Sequence, residues 1–550
     1  NIRHMGAFKK LLIAALLLAV AFGLWTSFHY TFKAYVLEGD SAVFPMLWRG
    51  WQEHGFAFFK TWYFTQDNWL LSPAPLVFLV YYVFGATGYT VLGLGWAFFV
   101  INTLLSAAVV RLLAGKWTPA ALAITGIGLF ASEGAIKNAQ LAHPISHNST
   151  TMWVLLAAIA AACGMGKRDR LLSFILACII FIAGVSDPWF NAACTLPLLL
   201  VLFLMFVIDR QHRRQSRNLM AGVAAGWALA YTRGLGLLSF LPKSSFHFVS
   251  SWSWLLANIR AYPAAIGVFF PVVRVLKWNP VAGAAFAIIS VCIVFMAFGW
   301  LARNWKGLPA RQAVITGFLL CSIFVTSVAF ATYAVHEDAG CAKFLNNIYF
   351  GTLILCISVF VLRWAEMTVI FRAAACVWAL IFIAAGAASD PAAWENRIEV
   401  DDNGAAALAG FLEQNELHYG YADYWAVPAE AISWTSGYHN IVRPVSLKWD
   451  PASRPEAPLF FTPYAYQTSR LWYEPADSKN QHRFFLILNM DWPGFVIGKA
   501  IPPCGFDVLL QAAERQFGKP DKTLRFYNCV VLVWGHSIER ALPKISSADK

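Results

Sequence analysis

KKLLIAALLLAVAFGLWTSFHY, residues 9–30, decides the fold. Lys9 and Lys10 precede an apolar run from Leu11 to about Tyr30. The run is too long for a signal-peptide core, and no small-residue cleavage site follows it. It reads as a start-transfer helix with its basic end in the cytoplasm.

The rest of the chain repeats that character. Of 550 residues, 59% are apolar, 16% aromatic and only 13% charged, against about a quarter charged in ordinary soluble chains. A mean hydropathy of +0.55 over this length implies many segments solvated by lipid. A soluble enzyme, a disordered scaffold and a disulfide mini-protein are excluded. Residues 1–389 hold 11 acids and 27 bases, whereas residues 390–550 hold 19 acids and 15 bases. The division predicts a membrane domain over 1–388 and a soluble domain over 389–550. The net charge of +12 sits in loops beside apolar runs, so it reports orientation and gives no reason to expect a nucleic-acid partner.

Further apolar runs lie near 89–110, 117–131, 149–165, 171–186, 191–208, 219–241, 281–302, 312–333, 346–363 and 371–387. Basic clusters mark alternate junctions: Arg111/Lys116, Lys167/Arg168/Arg170, Arg210/Arg213/Arg214/Arg217, Arg303/Lys306/Arg311 and Arg363/Arg372. With every cluster cytoplasmic, eleven spans result; counting 73–86 and 262–276 as crossings gives thirteen. Both counts predict a polytopic α-helical membrane protein with a cytoplasmic N-terminus and an extracytoplasmic tail. In the tail, helix-like 404–415 and 505–517 alternate with strand-like 484–488 and 524–532, which predicts a small α/β domain.

Under this topology Glu38, Asp40, Glu53, Asp67, Glu133, Asp187, Glu337 and Asp338 share the outer face. Acids are costly near lipid and mark function there. The first outer loop, about 31–72, carries Glu38-Gly39-Asp40 directly after the first span, with Gly39 expected to turn the backbone. It continues through Trp48, Trp51, Phe56, Phe58 and Phe59 to Asp67. That aromatic mixture belongs at the lipid headgroups. His143 and His147, four apart, fit a substrate or phosphate contact or, less well, a metal site that Pro144 disfavours. Asp187-Pro188-Trp189 is either a turn or an acid beside a ring on which a sugar stacks. Outer-face bases in 242–280 and 334–345, Arg260 and Lys343 foremost, fit a lipid-linked phosphate. Among the absent motifs are a phosphate-binding loop, Cys-x-x-Cys and His-Glu-x-x-His. Cys504 and Cys529 are the most natural disulfide pair.

These residues bring the chain to a family. It resembles the GT-C class of integral-membrane glycosyltransferases, whose members include protein O-mannosyltransferases and lipid A aminoarabinose transferases. The resemblance rests on Glu38-Gly39-Asp40 opening the first outer loop and on the Asp67 segment before Ser72-Pro73. It rests also on the many spans and on the outer domain opening with Tyr419-Gly420-Tyr421-Ala422-Asp423-Tyr424-Trp425. The tail has no Trp-Trp-Asp-type motif, which sets the oligosaccharyltransferase branch aside. The resemblance implies transfer of a sugar from a polyprenyl-phosphate donor to a glycan, lipid or protein acceptor at the outer face of the bacterial cytoplasmic membrane. It makes Asp40 the expected base, with Glu38 and Asp67 assisting and with His143, His147, Asp187, Arg260 and Lys343 as substrate contacts. The metal requirement stays open between none and a divalent cation, Mg or Mn. A lipid or oligosaccharide flippase and an envelope polysaccharide polymerase or ligase are the rival readings.

Overall fold

The computed structural model describes residues 7–35, 37–115, 128–131, 133–243, 248–270, 275, 280–333, 339–363, 367–387, 404–474, 477–491, 496–497 and 505–544. The chain divides into two compact units. One comprises residues 1–35, 66–75 and 92–398; the other comprises 36–65, 76–91 and 399–550.

Among the described residues, seven helices are long and apolar enough to cross a membrane. They are Ile13–Ala34, Gly88–Ala114, Asp169–Ser186, Asn191–Ile208, Gly283–Asn304, Ala310–Thr332 and Cys341–Leu362. Three other expected spans are helical but shorter or less apolar. His147–Gly164 opens on the polar turn His-Asn-Ser-Thr-Thr. Arg213–Tyr231 opens on bases. Val369–Ala384 is a shorter apolar helix, as is Ala74–Phe84. The expected run 117–131 falls mostly outside the described residues, as do Lys116, His247, Arg274, Lys277, His336, Glu337, Asp338, Glu366 and Cys504.

The run 219–241 does not continue as one helix. Arg233, Gly234, Leu235 and Gly236 all have positive φ, a run of left-handed residues that no right-handed helix accommodates. Arg233 Nη1 donates to the carbonyls of Ser239, at 2.8 Å, and Leu241, at 2.6 Å. The arginine thus closes a chain reversal.

Close backbone approach and buried polar groups hold the helical unit together. In Arg213–Tyr231, a Cβ on Gly222 would lie 2.3 Å from Ser173 O, and one on Gly226 would lie 2.4 Å from Ala177 O. Asn347 donates to Ser322 Oγ at 3.0 Å and Thr326 Oγ1 at 2.9 Å. Such small-residue contacts and interhelical hydrogen bonds are the means of cohesion available in lipid. Bases gather at one end of the bundle. A Cβ on Gly166 would meet Arg311 Nη2 at 2.8 Å, and Arg214 Nε is 3.6 Å from Asp169 Oδ2.

The other unit is built on a sheet ordered β3-β2-β1-β4-β7-β6. Its strands are β1 Tyr419–Asp423, β2 Ile441–Trp449, β3 Leu459–Pro463, β4 Phe484–Asn489, β5 Val496–Ile497, β6 Lys522–Phe526 and β7 Cys529–Trp534. β1 runs parallel to β2 and β4, whereas β2–β3, β4–β7 and β6–β7 are antiparallel; β5 adds to β2. Alternate residues Tyr419 and Tyr421, Leu486 and Leu488, and Leu532 and Trp534 bury one face with Leu509, Ala513 and Phe517 of the Phe506–Phe517 helix. The single strand-like run 524–532 is two strands, because Tyr527 takes φ +50 and reverses the chain. The segment expected to be the first outer loop forms a helix, Gly39–His54, and a short 3-10 turn, Gly55–Lys60.

Candidate functional site

The helical unit gathers one constellation of acid, imidazole, ammonium and hydroxyl groups. Its framework is the polar opening turn of the His147–Gly164 helix. Asn148 Nδ2 donates to the carbonyls of His143, at 2.8 Å, and Leu141, at 3.3 Å. The Asn148 carbonyl accepts from Asn102 at 2.8 Å. The turn is thereby fixed, and His147 and Thr150, three apart, share a face. Both reach Asp187, at the C-terminal end of the Asp169–Ser186 helix. His147 Nδ1 donates to Asp187 Oδ2 at 2.6 Å, Thr150 Oγ1 donates to the same oxygen, and the Trp189 amide donates to Oδ1 at 2.9 Å.

Residues 66–75 dock on that helix end. Asn68 Nδ2 donates to Val185 O at 2.8 Å, the Trp69 amide to Ser186 O at 3.1 Å and the Leu71 amide to Ser186 Oγ at 3.2 Å. This brings half-buried Asp67 into the field of His147, Asp187 and Lys343. Trp69, Phe344 and Trp189 form the aromatic surround. The His147 ring lies 4.7 Å from Phe344 and 6.1 Å from Trp69. Trp189 Nε1 donates to Phe344 O at 2.6 Å.

The two carboxyls are driven in opposite directions. Burial would raise Asp187, but the His147 charge and its hydrogen bond, with Thr150 and the Trp189 amide, hold it below the ordinary carboxylate range. Burial pushes Asp67 up, with Asp187 adding to the shift and His147 and Lys343 opposing it. Tyr333 is raised by burial and by both acids. Divergent environments on neighbouring titratable groups are a hallmark of acid–base sites. Among the described residues, the buried Nε2 of His147 and Nε1 of Trp69 have no hydrogen-bond partner. Two buried donors left this way suit a ligand bearing acceptor oxygens.

Of the sequence-derived candidates, Asp67, His147, Asp187 and Lys343 come together here. His143 does not pair with His147: its Nδ1 lies 2.6 Å from Ile145 O, and its ring packs on Tyr35 at 5.1 Å. Arg260 is exposed on the Trp252–Gly267 helix and is not among the principal charges acting on either acid. Thr150 and Tyr333 were not foreseen. The run of five polar residues opening an Ala-rich helix was the available signal for Thr150. Among the described residues, no group of three or more His, Cys, Asp or Glu side chains could hold a metal ion.

Asp40 and Glu38 belong to the sheet-containing unit. Asp40 accepts from Tyr424 Oη at 2.9 Å. Gly39 has a reason other than a turn, since its φ is not left-handed: a Cβ there would lie 2.9 Å from Tyr424 Cζ. Within this unit Glu430 is fully buried, and among the described residues neither carboxylate oxygen has a hydrogen-bond partner on another residue. Burial drives its pKa well up, and Asp40 and Asp423 add to the shift. Burial also raises Asp423, to about 7.

Neither a family model nor a curated protein matches the chain.

Proposed function

We propose that the chain is a membrane glycosyltransferase of eleven to thirteen spans with an extracytoplasmic tail. It moves a sugar from a polyprenyl-phosphate donor to a glycan, lipid or protein acceptor at the outer face of the bacterial cytoplasmic membrane. One observation carries the reading. Asp67, His147, Asp187 and Lys343 converge at one end of helices whose other ends carry Arg168, Arg214 and Arg311. Bases at one end fit the cytoplasmic side, which leaves the reactive cluster outside.

The chemistry follows from the groups. Asp67 takes the proton of the acceptor hydroxyl as that oxygen bonds to the sugar's anomeric carbon. The bond from that carbon to the phosphate oxygen breaks, and the electron pair leaves with the phosphate. Lys343 and His147 Nε2 meet the growing negative charge. Asp187 keeps the His147 ring oriented through the Nδ1 contact. A phosphate leaving group needs no general acid, so one base suffices. Asp40, expected from sequence to be the base, is the alternative in the other unit.

The test is purified protein in sealed liposomes with a radiolabelled polyprenyl-phosphate sugar and no ion gradient. Release of polyprenyl phosphate with label moved to an acceptor supports transfer. Donor that crosses the bilayer intact rejects it in favour of a flippase.

A further inference from the structure

The sheet-containing unit encloses a second feature, a cavity of about 240 Å³. Arg49, Glu53, Tyr438, Arg443, Trp472 and Asp477 line it. Arg443 lies within β2 and is only 7% exposed. Its Nε and Nη2 donate to Asp477 Oδ2 and Oδ1, each at 2.7 Å, and Tyr419 Oη donates to Oδ2 at 2.8 Å. A buried ion pair is weak evidence of a stabilising device, since apolar residues of equal volume often serve as well. Its presence in a strand calls for another reason.

Tyr438 gives a second, independent sign. It holds φ +67, a strained conformation for a bulky residue. The Ser433 carbonyl fixes it by accepting from its amide at 2.9 Å. Arg49 covers its ring, with Cζ 3.6 Å from the centroid, while Arg49 Nε donates to Glu53 at 2.6 Å. Arg443 likewise covers Trp472, at 4.6 Å. The cavity is therefore walled by two arginine–carboxylate pairs, one held at two points and one at a single point, each with its guanidinium over an aromatic ring.

We infer that this cavity is a binding site for a single neutral sugar ring. The charges on Arg49, Arg443, Glu53 and Asp477 balance, leaving His54 as the remaining basic side chain of the lining, so these four give a phosphate or uronate no net attraction. Each pair offers donors and acceptors side by side, which matches the vicinal hydroxyls of a pyranose. Asp477 and Glu53 spend part of their acceptor capacity on their arginines, and each guanidinium has five N–H groups. The volume is below the range usual for drug-sized ligands, about 300–1,000 Å³, and limits the occupant to about one ring.

The inference does not depend on Asp67 or on transfer, and its test uses neither. Full-length protein in detergent is titrated with glucose, galactose, mannose and N-acetylglucosamine, and separately with glucuronate and inorganic phosphate, by saturation-transfer NMR. At least one neutral sugar binds. Arg49→Ala and Glu53→Gln, at partly exposed positions, weaken it about tenfold, the size of one charge-assisted hydrogen bond. The inference is overturned by an absence of neutral-sugar binding, by binding of the anions alone, or by affinity unaltered in both Arg49→Ala and Glu53→Gln.

Discussion

His147 Nδ1 and Asp187 Oδ2 stand 2.6 Å apart, both side chains buried. Such a contact fixes which ring nitrogen faces the carboxylate, and so aims the other, Nε2, at whatever the site receives. It is a positioning device as much as a charge pair.

The first prediction concerns that pair. Asp187 is held below its ordinary pKa, so its stabilisation is full above the unfolded value of about 3.9 and is lost as pH falls through the folded value. Asp187→Asn should melt lower than wild type at pH 7. The gap should narrow as the pH is taken below about 3.9. Thermal melts in detergent across that range decide it; a gap constant with pH would remove the charge from the argument.

Asp67→Asn keeps shape and removes basicity. Transfer should drop about 10²–10⁴-fold, the usual loss for a general base, with expression nearly unchanged and the melting temperature at pH 7 no lower than wild type. Because Asp67 is shifted upward, the acid limb of the wild-type rate profile should lie above about 3.9. Asp40→Asn is measured beside it. Full activity in Asp67→Asn with loss in Asp40→Asn would move the base to the other unit.

Glu430 carries the opposite sign. Its folded pKa is raised, so above about 4.3 the unfolded chain ionises this group while the folded chain does not. Stability from this site therefore falls as pH rises toward the folded value. Glu430→Gln should melt higher than wild type at pH 7, by a margin that shrinks toward pH 4. A variant that melts lower at every pH would show that the carboxyl is needed for packing.

The Gly39–Tyr424 approach predicts a coupled pair. Gly39→Ala puts a methyl 2.9 Å from Tyr424 Cζ and should cost about 1–3 kcal/mol as an overpacked site. In a Tyr424→Leu background the same change should cost much less. Denaturation of the four proteins in the cycle measures the difference, and additive effects would contradict the contact.

The sequence made some of this legible and hid the rest for definable reasons. Length and apolarity announced helices such as Asp169–Ser186 and Ala310–Thr332, since lipid leaves the backbone few alternatives. The strand Phe484–Asn489 and the helix Phe506–Phe517 were equally plain. The ends were not, because left-handed residues such as Arg233 and Tyr527 stop an element without any change in hydropathy. Asp67, His147, Asp187 and Lys343 were each visible as polar residues at apolar borders. Their meeting was not, because it depends on Asn68, Trp69 and Leu71 finding Val185 and Ser186 across a long stretch of chain. Glu430 escaped notice altogether: one acid in a short helix carries no pattern, and only burial makes it unusual.

Gly222 and Gly226 have a consequence for how the protein is made. Carbonyls of Ser173 and Ala177 press where their side chains would be, so Asp169–Ser186 and Arg213–Tyr231 adhere through backbone contact, a force that works without water to expel. Residues 169–231, three helices of which the first and third run parallel, can therefore close as a group while later segments are still on the ribosome, giving the bundle a seed around which the distal helices assemble. Gly222→Val with Gly226→Val should then lower the yield of inserted, protease-resistant protein during synthesis. Normal insertion of that double variant would place the seed elsewhere in the chain.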